Sequence, residues 1–168
     1  MLKKLKRKQI KAIMNSVDLW KNKGVIMVVL AYDHGAREMF LKIKKYLTLH
    51  NIEFVEFASE EYDALDSFAT FAKQANEYVK KGYIGIYGCR SGIGMSMASN
   101  KAKGVRGALC IEPIFAEMSR KHNNANVCIL PCDYICYRRA IRIINTFLNT
   151  EFLGGKYQDR IDELELIK

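Results

Sequence analysis

At 168 residues, with 49% hydrophobic residues and only two prolines, the chain is long enough to bury one substantial core and too apolar to be disordered. The net charge of +9 is concentrated in residues 1–23, where Lys3, Lys4, Lys6, Arg7, Lys8, Lys11, Lys21 and Lys23 face only Asp18. The rest carries +2, so the basic surface of a nucleic-acid-binding domain is not expected, and no apolar run reaches the length of a membrane span.

In residues 1–23, Leu2, Leu5, Ile10, Ile13, Met14, Val17 and Trp20 recur at helical spacing opposite the lysines. This pattern predicts a basic amphipathic extension lying on the domain or against a partner subunit, with acidic lipid, RNA or a presequence role as alternatives. Residues 24–168 then form a single domain. Val25–Ala31 is an unbroken β-rich run, the pattern of a strand buried on both faces. Arg37–Leu49 has helical spacing, Ile52–Phe57 is a second strand, and Asp66–Lys81 is a helix with Phe68, Phe71, Ala72, Ala75, Tyr78 and Val79 along one side. Tyr83–Tyr87 is a third strand, followed by a glycine-rich turn and a helix to about Lys101. Val105–Cys110, a helix over Glu112–Lys121, Asn126–Leu130, a helix over Tyr134–Asn149 and a charged amphipathic helix over Tyr157–Ile167 complete the chain. Strands alternating with helices predict an α/β fold: a three-layer αβα sandwich around a five-stranded, parallel, Rossmann-like sheet with a C-terminal helix.

Ligands of such sheets bind beyond the carboxyl ends of the strands. The first strand ends in Tyr32-Asp33-His34-Gly35, and the third in Gly88-Cys89-Arg90-Ser91-Gly92-Ile93-Gly94. His122 and Asn123 precede the fifth strand. These segments are expected to converge on one rim as a constellation for proton transfer. Cys89 opens a helix, where the dipole favours a thiolate, and Gly92 and Gly94 let backbone N–H groups face an oxyanion. The turn is neither a Walker A loop, which needs Gly-Lys-Ser/Thr after its spacer, nor a Cys-x5-Arg phosphatase loop, because Met95 stands where the arginine belongs. A tight turn around a buried cysteine is the plainer reading. His34 and His122 alone are more often hydrogen-bonded than catalytic, and His50 suits the dipole at the end of the first helix.

Five cysteines, an odd number with no secretory signal, imply reduced thiols and a cytoplasmic protein. Cys128, Cys132 and Cys136 recur every four residues, but a zinc site needs a closer pair and further partners, so they read as small buried hydrophobes and no metal is expected.

Five segments in order carry a resemblance. They are Tyr32–Gly35, the Cys-x-Ser-Gly-Ile-Gly-Met-Ser-x-Ala-x-Asn-Lys run from Cys89 to Lys101, Gly104–Cys110, Met118–Val127, and Phe152-Leu153-Gly154-Gly155 with Arg160. Together they resemble the ribose-5-phosphate isomerase B family, which shares much of its pattern with galactose-6-phosphate isomerase subunits. The resemblance implies an aldose–ketose isomerase in which Cys89 moves the proton between C1 and C2, with Ser91, Gly92, Ile93 and Gly94 steadying an enediolate. It also implies Asp33 and His122 in ring opening, Asn123 on the sugar, and His34, Lys156 and Arg160 on the phosphate. No metal or organic cofactor is implied. The assembly implied is a homodimer or homotetramer with sites at a subunit interface.

The chain departs from the family pattern at four places. Arg90 replaces a glycine, and would either strain the loop if that position needs a positive φ or supply charge to the anion. Asp133 stands near where an arginine is usual, Lys156 replaces an arginine, and the segment Asp66-Ser67-Phe68-Ala69 lacks a tyrosine hydroxyl. Interconversion of ribose 5-phosphate and ribulose 5-phosphate is the expected activity. A six-carbon sugar-phosphate isomerase, a weakened sugar-phosphate-binding homologue and a tail-driven nucleic-acid or membrane module are the alternatives.

Overall fold

The structure, a computed structural model, describes residues 27–167, so the basic extension lies outside the described residues. Five parallel strands, β1 (Val28–Tyr32), β2 (Phe54–Phe57), β3 (Ile84–Cys89), β4 (Gly107–Leu109) and β5 (Val127–Pro131), form one sheet in the order β2-β1-β3-β5-β4. Six helices connect or flank them: α1 (Arg37–Leu49), α2 (Phe68–Val79), α3 (Ile93–Ser99), α4 (Pro113–Asn123), α5 (Tyr137–Asn149) and α6 (Lys156–Glu165). The expected α/β architecture is the one observed.

The strands read as unbroken apolar runs because both faces are covered. Val28, Leu30, Tyr32, Ile86, Cys128 and Leu130 point to one face, against Phe40, Ile43 and Leu47 of α1 and Ile143, Ile144 and Phe147 of α5. Val29, Ala31, Tyr87, Cys89, Val127 and Ile129 point to the other, against Ala72, Ala75 and Val79 of α2 and Met95 of α3. A buried polar link in this second layer is satisfied: the Tyr87 hydroxyl donates to Asn76 Oδ1 at 3.0 Å, and Asn76 Nδ2 donates to the Ser99 carbonyl at 3.2 Å. No described helix is long and apolar enough to cross a membrane.

Boundaries shift where side chains leave regular structure for tertiary contacts. The helix expected from Asp66 starts at Phe68, because Ser67 is extended and Asp66 turns away to a histidine. The helix expected from Tyr134 starts at Tyr137, after a turn in which Tyr134 N–H bonds the Pro131 carbonyl. The edge strand β4 keeps three residues of the six expected, since the Gly104 carbonyl and the Arg106 N–H are bonded by the Asn126 side chain.

Candidate active site

The connections leave β1 and β3 toward opposite faces of the sheet, so these neighbours flank the switch point where ligands of open α/β sheets bind. Tyr32 lies opposite Gly88 in register, which brings Asp33 and Cys89 side by side just beyond it. Gly88 permits this close packing: a Cβ there would overlap the Phe40 ring and touch Cys132 Sγ. Cys89 is 6% exposed and accepts a hydrogen bond at 3.1 Å from the Gly92 N–H. Gly92 caps α3 with φ +74°, and a side chain there would run into Leu109. Ser91 Oγ accepts from the Ile93 N–H at 3.3 Å, and Gly94 has no room for a Cβ because the Phe68 ring covers it. Phe68, expected on the apolar side of its helix and as a missing hydroxyl, is thus the wall of the glycine loop. The left-handed residue in this turn is Gly92; Arg90 is not among the residues with positive φ, so the strain expected for it does not arise.

Asp33 is 8% exposed. Burial pushes its carboxyl above the ordinary carboxylate range; the charge of His34 is the next influence and opposes the rise, and Asp66 adds a smaller push upward. Its Oδ1 accepts from the Gly35 N–H at 3.0 Å, which caps the short 3₁₀ turn His34–Ala36. The partner of His34 is Asp66 rather than its neighbour Asp33. Asp66 Oδ1 lies 2.7 Å from His34 Nδ1 and accepts the His34 backbone N–H at 3.1 Å, while Oδ2 accepts the Ser59 hydroxyl at 3.2 Å. This leaves Nε2 as the ring nitrogen free for a ligand. The Tyr62 ring stands edge-on to the imidazole at 5.9 Å. Asp66 and Tyr62 were not legible as site residues, since they act across 32 and 28 positions from a loop.

His122, Asn123, Lys156 and Arg160 lie elsewhere, and contrary to expectation His122 and Asn123 do not converge on the rim that carries Asp33 and Cys89. Helix α4 returns from the carboxyl end of β4 to the amino end of β5, so its last residues, His122 and Asn123, sit at the amino rim. The Leu153 N–H bonds the Lys121 carbonyl and holds the start of α6 at the same end. The length of β5, roughly 13 Å, separates the two rims. At the amino rim Tyr157 is the hub: the His122 ring stacks on it at 4.4 Å, and Lys156 Nζ and Arg160 Cζ lie over it at 5.4 and 5.7 Å. The basic pair was expected from the family resemblance, and the aromatic platform between the two side chains was not. A groove of about 1050 Å³ runs along the β4 edge beside Lys101, Arg106, Asn123 and Ile167, and it does not reach Cys89.

The three evenly spaced cysteines do not share a site. Cys128 is buried in β5, Cys132 packs under Gly88, and Cys136 is exposed at the start of α5. Burial pushes the thiols of Cys128 and Cys132 well up, so both are held as neutral groups.

A parallel α/β sheet that sets a cysteine, a carboxyl group held above its usual range and a carboxylate-anchored histidine at its switch point, next to a glycine turn, has the layout of an enzyme that moves protons on a small polar substrate. The comparison with known proteins narrows this class. The profile described as Ribose/Galactose Isomerase matches residues 28–164. A probable ribose-5-phosphate isomerase B of Mycoplasma genitalium is 34% identical over 140 residues, covering 82% of this chain and 92% of the relative. The crystal structure of a ribose 5-phosphate isomerase from Thermotoga maritima, 35% identical, superposes with a TM-score of 0.81 over 84% of this chain and 99% of its own. That of the Mycoplasma genitalium ribose-5-phosphate isomerase B with bound ribulose-5-phosphate, 33% identical, superposes with a TM-score of 0.80 over 83% of this chain and 94% of its own. The chain belongs to the ribose/galactose isomerase family and is a sugar-phosphate isomerase.

The Asp33 environment makes one prediction that separates stability from activity. A buried carboxyl with a raised pKa holds its proton more tightly folded than unfolded, so its ionisation opposes folding. That penalty is absent at acidic pH and grows as pH rises through the folded value. Asp33→Asn keeps an acceptor for the Gly35 N–H and removes the charge. Its melting temperature is expected to match or exceed wild type at neutral pH, with the advantage vanishing toward acidic pH, while turnover falls by about 100-fold or more. A variant less stable at neutral than at acidic pH, relative to wild type, would contradict this account.

Proposed function

We propose that the chain interconverts ribose 5-phosphate and ribulose 5-phosphate through an enediolate. The observation that carries this reading is the pairing of Cys89 with Asp33 across the switch point, beside the glycine turn. A relative of one-third identity whose solved structure holds ribulose-5-phosphate supports the choice of sugar.

The chemistry follows from the placement. Asp33, buried and holding a proton more tightly than usual, exchanges a proton with the ring form during opening, with His122 as the second group. In the open-chain aldose the Cys89 thiolate takes the proton from C2, and the electron pair moves through C1 onto O1. The Gly94 N–H in the first turn of α3, next to the Ile93 N–H that Ser91 Oγ accepts, faces the growing charge because a first turn has no intrahelical acceptor for it. The thiol returns the proton to C1 while the O2 proton passes to O1, which regenerates the thiolate and leaves the ketose. Ser91 supports the turn through Ile93, Asn123 contacts the sugar, and His34, Lys156 and Arg160 bind the phosphate.

Because His122, Asn123, Lys156 and Arg160 lie on the opposite rim from Cys89, one chain does not complete this site. We infer a homodimer in which the amino rim of one protomer closes over the carboxyl rim of its partner. The five free cysteines fit a reducing compartment, and we place the enzyme in the cytoplasm.

The direct test is turnover of ribose 5-phosphate by the purified protein beside a panel of six-carbon sugar phosphates. Ribose 5-phosphate is expected to give the highest kcat/KM. A six-carbon phosphate that outperforms it would change the substrate, and no turnover on any sugar would refute the isomerase activity proposed for this chain.

A further inference from the structure

Two residues that read from the sequence as separate oddities, Arg90 and Asp133, form one unit. Arg90 Nη1 lies 3.3 Å from Asp133 Oδ2, and the Asp133 backbone N–H bonds the Arg90 carbonyl at 2.9 Å. The stem of Arg90 is pinned: its Cγ fills the space a Cβ on Gly35 would need, so the side chain crosses the backbone directly beside His34. The head is free. Its one side-chain bond is long for a charge-assisted contact, four of its five donors have no partner among the described residues, and the side chain is 63% exposed. An exposed pair of this kind adds little stability. The geometry is that of a guanidinium with a fixed root and an available fork.

The charges around it say what the fork is for. The acids in contact with the His34–Gly35 and Cys89–Arg90 segments are Asp33, Asp66 and Asp133. Arg90 is the cation among them, His34 aside. A phosphate monoester dianion, the group every sugar-phosphate substrate carries, is repelled by the carboxylates of Asp66 and Asp133, and Arg90 offsets them. With it, a bidentate phosphate donor stands beside the free Nε2 of His34.

We propose that Arg90 is a substrate-contacting residue that binds the phosphate group from the same chain as Cys89, and that Asp133 parks its guanidinium at the mouth of the site until the phosphate displaces it. The proposal rests on the reading of the chain as a sugar-phosphate isomerase.

The experiment measures kcat and KM for ribose 5-phosphate, the inhibition constant of inorganic phosphate, and the melting temperature for the full chain and its Arg90→Gln and Arg90→Lys variants. Arg90→Gln is expected to raise KM and the phosphate inhibition constant together by about tenfold or more, with kcat changed by less than about threefold and an unchanged melting temperature. Arg90→Lys restores part of the loss, because it keeps the charge without the fork. If both constants stay within about twofold of wild type in an active enzyme, Arg90 is not a phosphate ligand and the isomerase reading stands. A fall in kcat at constant KM also overturns the proposal, since it places Arg90 at the reacting carbons. Should wild type turn over no sugar phosphate, the same variants are compared by the stabilisation that inorganic phosphate gives. Loss of that stabilisation in Arg90→Gln supports the phosphate site, and its retention overturns it.

Discussion

Cys89→Ala is expected to lower turnover of ribose 5-phosphate by about 1,000-fold or more while leaving the fold intact. The size follows from the role proposed for Cys89 as the carbon base, which its nearest thiol cannot take over. Burial keeps Cys132, the nearest thiol, neutral. The structural cost is small, since the variant loses one sulfur atom and the hydrogen bond from the Gly92 N–H, about 1 kcal/mol. Cys89→Ser keeps a hydroxyl in place of the sulfur, which at neutral pH is a far weaker base, so its turnover is expected to fall nearly as far. Kinetics beside circular dichroism decide the matter. Folded Cys89→Ala that retains a tenth or more of wild-type kcat would remove Cys89 from the base role.

The sequence discloses the frame of this site because strand ends in a parallel sheet are positions of known chemistry. β1 and β3 are continuous apolar runs, so Asp33 and Cys89 are placed at the rim by counting along the chain, and Arg37–Leu49 is recovered to the residue because apolar spacing and a turn at His50–Asn51 bound it on both sides. The contacts that tune the site are not legible in the same way. Asp66 reaches His34 across 32 positions and Asp133 reaches Arg90 across 43, and neither pair leaves a local pattern. Each half of the Arg90–Asp133 pair looks like a defect when taken singly: a bulky residue in a tight turn, and an acid near a phosphate. Together they cancel, and the positive φ of the turn falls on Gly92 instead. The separation of the two rims is a different case. A crossover helix must run antiparallel to the strands it joins, so residues at the end of α4 belong to the amino edge. His122 and Asn123 could have been assigned there from topology alone.

That separation has a consequence which a mixing experiment reads directly. Cys89→Ala and His122→Ala remove groups from opposite rims, and in the proposed homodimer each single variant carries two damaged sites. In a mixed dimer, Cys89 of the His122→Ala chain meets His122 of the Cys89→Ala chain in one site, which is intact, while the other site lacks both. Equal amounts of the two inactive variants, unfolded together and refolded, are expected to recover about a quarter of the wild-type rate, because half of the dimers are mixed and each has one working site of two. The two changes are far apart and share no partner within a chain, so their folding effects stay independent. The His122 ring stacks on Tyr157 rather than filling the core, which keeps the alanine variant able to fold. Recovery would place Cys89 and His122 in one site built by two chains. Absence of recovery from a mixture that gel filtration shows to be dimeric would mean that His122 does not complete its partner's site, and that the amino-rim cluster of His122, Tyr157, Lys156 and Arg160 serves another ligand.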